Sequence, residues 1–318
     1  MKWSVAFFVA RRLLLLVVTL FAVSALVFVV TRILPGDVAT MILGQYATPE
    51  DLTTLRRRLG LDQPALVQFL HWLAAMLGGD FGHSTRFQLP VFEVMRAPLR
   101  NSALLAAAGI AFAVPVGLAL GTFCAIRRGS AWDHIVSGAT VFAAAMPEFV
   151  TGGILIVVFS TWLGWLPPFA GGNDADSIGR SISELVLPVL SLSLVILGYI
   201  LRMMRTSAGE VLDSEFVKAA VLKGLDKRRI LLFHVLPIAL GPTLAVIALS
   251  IGWMAGGLVV VESLFGFPGI GRLLVFAIQN RDVPLLQTIT LVVAAVYALA
   301  NLCADVAQRL LDPRVIAR

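Results

Sequence analysis

"LLLLVVTLFAVSALVFVVTRIL", Leu13 to Leu34, carries a single charge, Arg32. A bilayer core takes roughly 20 consecutive apolar residues in a helix, and this run reaches that length. Lys2, Arg11 and Arg12 precede it, as in a secretory signal. Its apolar core, however, exceeds the roughly 7–15 residues of a signal h-region, and no small-x-small cleavage site follows cleanly. The run reads as a retained membrane span.

Five further runs follow, at about Ser102 to Ile126, Ile135 to Trp165, Leu185 to Met204, Val235 to Val261 and Leu285 to Leu311. The composition agrees. Of 318 residues, 58% are hydrophobic and 14% charged, and the mean hydropathy is +0.91. Soluble domains lie nearer half apolar and a quarter charged. The expected fold is an all-α integral membrane protein of six transmembrane helices, one domain over residues 1–318. The net charge of +6 then reads as sidedness. Nucleic-acid binding is the weaker reading, because no Arg/Lys-rich face with interleaved aromatics appears. Cys124 and Cys303 lie in apolar runs with no CxxC spacing or His partner, and read as lipid- or core-facing.

Basic residues concentrate at the N-terminus, after the second span (Arg127, Arg128), after the fourth (Arg202, Arg205, Lys218, Lys223, Lys227, Arg228, Arg229) and at the C-terminus (Arg309, Arg314, Arg318). The opposite short loops hold only Arg180, Arg272 and Arg281. The positive-inside rule therefore puts both termini and the loop at 205–234 in the cytoplasm. The long loop at 35–101 is extracytoplasmic and counts little in that rule. It contains two helix patterns. One has Thr48 as N-cap, Pro49 at the first helical position and Gly60 as stop. The other starts at Asp62, aligns Leu66, Phe69, Leu70, Leu73 and Leu77 on one face, and stops at Gly78-Gly79. It either lies on the outer membrane surface or packs against the spans.

The loop between the fourth and fifth spans reads "EFVKAAVLKGLDKRRILLFHVLP", Glu215 to Pro237. Asp213 to Lys223 suits a short helix. Gly224 permits a left-handed turn, and "DKRRILLFHVL" leads into the next span. Phe216, Ala219, Ala220 and Lys223 share a face at helical spacing. The paired alanines make that face a flat spot on which another protein can press. Most helix connections need only about 2–8 residues, so a simple linker does not require this construction.

No GxxxxGK[ST] phosphate loop, HExxH or GxSxG occurs. His71, His83, His134 and His234 are scattered, so neither a metal site nor a catalytic site is expected. Glu148, in "AAAMPEFVTGG", is the only acid near the middle of a span. An intramembrane acid is a functional candidate by default. Two readings stand: it meets an amine or other cation of a translocated solute, or it faces a partner helix or water where Pro147 bends the span. Glu262 and Arg202 fall at span ends, where solvation is easy. Ala113, Gly117 and Gly121, and likewise Gly252 and Gly256, have the four-residue spacing that lets helix backbones approach.

The loop resembles the cytoplasmic loop of ABC-importer permeases, whose pattern is EAA, three residues, G, nine residues, IxLP. The chain matches at Ala219, Ala220, Gly224, Leu236 and Pro237, and departs at Lys218 and His234. The dipeptide/oligopeptide branch, nearer Y-V-R-T-A-R-A-K-G-L, is matched at Val217, Ala220, Lys223, Gly224 and Leu225. "LPGDVA", "GGDFGHS", "MPEFV" and "VVVESLFGFPGIGRLLVFAIQNRDVPLLQ" are similar to the same branch. The resemblance implies a coupling helix at Phe216, Lys218, Ala219, Ala220, Lys223, Gly224 and Leu225, seated on a separate ATPase subunit that binds ATP and Mg. It implies a second homologous permease, one or two ATPase subunits, an extracytoplasmic solute-binding protein, and a bacterial inner-membrane location. Peptides come first as solute; nickel complexes, glutathione and sugars are served by the same branch. A membrane enzyme lacks its catalytic set here. A secondary transporter would show inverted repeats and more intramembrane carboxylates.

Overall fold

The structure, a computed structural model, describes residues 2–33, 48–58, 62–171 and 182–311. "LPGDVA", Gly60, Arg180, Arg314 and Arg318 lie outside the described residues. The helices are α1 (Lys2–Ile33), α2 (Pro49–Arg58), α3 (Ala65–Leu77), α4 (Val91–Ile126), α5 (Ala131–Ala145), α6 (Glu148–Leu155), α7 (Ile182–Leu212), α8 (Glu215–Leu222), α9 (Lys227–Ile230), α10 (Leu236–Phe265), α11 (Ile270–Gln279) and α12 (Val283–Leu311). Wider π-helical turns continue α6 over Ile156–Trp162 and join α9 to α10 over Leu231–Val235. Pro237, which lacks an N–H, lies two residues past the end of the second of these turns.

Among the described residues, five helical stretches are long and apolar enough to cross a membrane: Ala10–Ile33, Val91–Ile126, Ile182–Leu212, Lys227–Met254 and Val283–Cys303. Two bent pairs pass the same test only jointly. α5 and α6 turn by 114°, and the end of α10 turns by 79° into α11; with both pairs the number reaches 7. The expected third span is therefore broken at the proline where the sequence placed a bend. Pro147 gives the reason. It has no N–H to continue the ladder, and it holds Met146 in an extended conformation at φ −83, ψ 139.

The core gathers around α7. α4 runs parallel to it: Ser193 Oγ donates to the Gly109 carbonyl at 3.1 Å, and Gly117 and Gly121 lie against Ile200 and Met204. A Cβ on Gly121 would stand 2.7 Å from the Leu201 carbonyl oxygen, so the small-residue stripe on α4 is a true helix contact. The second such pair divides. A Cβ on Gly252 would meet Asn301 at 2.9 Å, whereas Gly256 faces nothing within 4 Å. α5 and α10 run antiparallel to α7. Leu192, Ile196, Ile200 and Leu201 of α7 form the centre of the largest buried cluster, with Leu105, Val261 and Phe265.

α1 lies along α12, joined by an Arg12–Asp305 ion pair at 2.9 Å and a Gln287 Nε2 to Thr31 Oγ1 hydrogen bond at 2.8 Å. α3 packs against α1 through Phe69, edge-on to Phe21 and Phe28 with centroids 5.8 and 5.4 Å apart. Its expected single apolar face is split, because Phe69 is buried while Leu66, Leu70 and Leu77 remain exposed.

Candidate functional site

α8 starts on Ser214, whose hydroxyl accepts from Val217 N at 3.4 Å and donates to the Val211 carbonyl at 2.6 Å. One side chain therefore closes the end of α7 and opens α8. The helix stops where Gly224 takes φ +75, a left-handed conformation that costs glycine little. Asp226 then caps α9 through Arg228 N at 3.1 Å. Val217 and Ala220 pack inward with Met204, Ala208, Ile230 and Val235.

This burial divides the expected docking face. Ala220 is 6% exposed and belongs to the chain's own core, so the two alanines do not form one flat spot. Phe216, Lys218, Ala219, Lys223 and Gly224 are exposed, and Leu225 is half-buried. Leu222, not singled out in the sequence, is 88% exposed. Its spacing from Phe216 and Ala219 marks the outward stripe. Phe216 also borders an open groove with Glu210, Val211, Ser214 and Ile238, and its ring lies 5.6 Å from that of His234.

Glu148 opens α6 just past the Pro147 break. Its carboxylate lies against α10, where a Cβ on Gly257 would come within 2.6 Å of Oε1. It lines a cavity of about 50 Å³ with Leu192, Ile196, Tyr199, Ser250 and Trp253. Among the described residues no hydrogen bond or ion pair reaches this carboxylate. A half-buried, unpaired acid in an apolar setting is costly to maintain, and the cavity is where a cationic group would offset that cost.

Residues 117–317 match the family described as binding-protein-dependent transport system inner membrane component, and residues 5–98 match its N-terminal region. The chain belongs to this family of ABC-importer permeases. The permease is 35% identical over 308 residues to a probable peptide ABC transporter permease protein, y4tP, of Sinorhizobium fredii, covering 97% of this chain and 98% of that one. It is 31% identical to the dipeptide transport system permease protein DppB of Escherichia coli, with 97% and 98% covered. It is 35% identical to the glutathione transport system permease protein GsiC of the same species, again with 97% and 98% covered.

At the end of the permease opposite α8, one acid overturns the sequence expectation and a second was not singled out there. Glu262 is 0% exposed and is not solvated at a span end. It accepts from Ser102 Oγ, from Gly271 N at 2.7 Å and from Arg272 N at 3.3 Å. Ser102 Oγ in turn accepts from Ile270 N at 2.8 Å. The carboxylate thus fills the N-terminus of α11, and glycine is required at 269 because a Cβ there would overlap it. Asp282 is also fully buried. It accepts from Ser84 Oγ, from Thr85 N and Arg86 N at 3.2 Å each, and from Leu285 N at 3.3 Å. "GGDFGHS" and the α11–α12 turn are joined at this residue. A third buried acid, Asp133, pairs with Arg205 on the α8 side. Ser130 caps α5 through Asp133 N at 3.2 Å, a local N-cap signal in the sequence; the burial of Glu262 and Asp282 has no such local signal.

Proposed function

We propose that this permease is one of two homologous membrane subunits of an importer for dipeptides and oligopeptides, driven by one or two separate cytoplasmic ATPase subunits that bind ATP and Mg. A binding protein on the far side delivers the solute. α8 and both termini face the cytoplasm, where the basic loops collect. The observation that carries the reading is α8 itself: a helix capped at both ends, fixed inward by Val217 and Ala220, with Phe216 and Leu222 left outward. Energy transmission needs such a rigid, exposed element in a chain without a phosphate loop. Phe216, Ala219, Leu222 and Lys223 form the ATPase-facing stripe, and Gly224 and Leu225 fix its end.

Peptide is the solute class because the similar proteins are named for peptides, a dipeptide and glutathione, which is itself a short peptide. Glu148 meets the solute's amine. Membranes bearing the tagged permease should yield a phosphate-loop ATPase and a second permease on mild solubilisation. Liposomes containing that complex, with its binding protein added outside, should import a labelled dipeptide only with ATP inside, and Glu148→Gln should reduce that import several-fold. Import without ATP would support the secondary-transporter reading, and unchanged kinetics in Glu148→Gln would return that residue to a structural role.

A further inference from the structure

α5 and α7 touch at successive levels along one line. Nearest α8, Arg205 donates through Nε and Nη2 to the two carboxylate oxygens of Asp133, both at 2.6 Å. Asp133 is 0% exposed and also accepts from Gly129 N at 3.0 Å and Ser137 Oγ at 3.2 Å. At the next level Gly198 lies against Thr140 and Ala144, where a Cβ would stand 2.9 Å from the Thr140 carbonyl oxygen. At the third, Ser191 Oγ donates to the Glu148 carbonyl at 3.3 Å. Arg205, Gly198 and Ser191 recur every two turns on one face of α7. Their partners keep step along α5 and past Pro147 into α6. At about 1.5 Å per residue, the line runs about 21 Å from the ion pair to the level of Glu148.

The lower end of this line is tied to α8. Ser214 closes α7 and caps α8 with one hydroxyl, and Val217 and Ala220 share a buried cluster with Met204 and Ala208, on either side of Arg205 along α7. A displacement of α8 is therefore a displacement of α7. Asp133 is buried while Arg205 is half-buried, and such an ion pair is weak evidence for net stability, since desolvation offsets much of its attraction. What a two-pronged guanidinium–carboxylate contact supplies is a fixed angle as well as a fixed distance. Resting on the reading of α8 as the ATPase-facing helix, we propose that Arg205 and Asp133 are the positioning pair that carries movement of α8 to Glu148. α5 follows α7 because its first turn is held by the pair. The Pro147 break then re-aims the start of α6, and with it the Glu148 carboxylate. Without the pair, α7 moves and α5 slips along it.

The test uses the assembled transporter in proteoliposomes, with ATP hydrolysed per labelled dipeptide imported as the readout. A scaffold role would lower hydrolysis and import together and leave their ratio unchanged. A coupling role changes the ratio. Asp133→Asn and Arg205→Lys should each raise it at least about tenfold, within the usual range of coupling between sites, and the Asp133→Arg/Arg205→Asp exchange should recover part of the loss. A wild-type ratio in both single variants would overturn the proposal. Should Asp133→Asn fail to insert, Arg205→Lys keeps the charge and decides the matter with spin labels at Trp132 and Phe149, both exposed, on the two sides of Pro147. The label separation should change on ATP trapping in the wild type and stay fixed in Arg205→Lys; an equal change in both would overturn the pair's role. Import by the wild type without ATP would overturn the reading of α8 and the proposal together, whereas ATP-driven import with an unaltered ratio in the variants would overturn the pair alone.

Discussion

The two ends of the permease are held by different means. At the far end, Glu262 and Asp282 are each buried under at least three donors, and they stitch α4, α11, α12 and the turn at 84–86 into one unit. Around α8 itself, order comes from caps and a small apolar cluster, the buried Asp133 nearby joining α5 to α7 rather than to α8, and Phe216, Val221, Leu222 and Phe233 are left exposed. Polar networks with every member satisfied fix a single arrangement. A capped helix on a shallow cluster keeps its own shape, yet its outer apolar surface is left uncovered. One end is built as a fixed frame, and α8 as a separately shaped element with an uncovered outer surface.

The contrast can be broken most forcefully at Glu262. Replacing it with Ala strands Gly271 N and Arg272 N in a buried setting, and each unsatisfied donor costs on the order of 1–3 kcal/mol. Glu262→Ala should therefore show the largest fall in thermal stability in detergent, and Gly269→Val should reproduce it by displacing the carboxylate. Asp282→Ala should come next. Part of its donor set lies nearer the surface and can turn to water, so a loss of about 2 kcal/mol is expected, read as a lower unfolding midpoint. Gly224→Leu should cost least, about 1–2 kcal/mol for a side chain at positive φ. It should nevertheless uncouple hydrolysis from import while the protein still inserts. Equal stability losses at both ends would dissolve the comparison, as would normal transport in Gly224→Leu.

The sequence was most legible where one physical rule acts alone. Apolar length gave the membrane class, Pro147 flagged a bend, and Gly224 gave the end of α8. The four-residue stripe of Ala113, Gly117 and Gly121 became a real contact, because α7 happens to run beside it. Gly252 and Gly256 share that spacing, but among the described residues only Gly252 meets a partner. Spacing shows that approach is possible, not which helix approaches. Ala220 was misread for the same reason, since helical periodicity shows which residues share a face but not whether the face turns to the core. Glu262 looked like a solvated end, and Asp282 drew no reading, because each takes a donor from a residue distant in the chain, Ser102 and Ser84. Only the fold brings those together.

The central claim is that the outward stripe of α8 docks on a separate ATPase. A cysteine at Leu222, in a chain with the exposed Cys303 replaced by Ser, tests it directly by zero-length and short cross-linking in native membranes. The account predicts an adduct with a phosphate-loop ATPase whose yield changes on addition of ATP, and no such adduct from a cysteine at buried Ala220. An intact, import-competent complex in which position 222 never cross-links to the ATPase would contradict it.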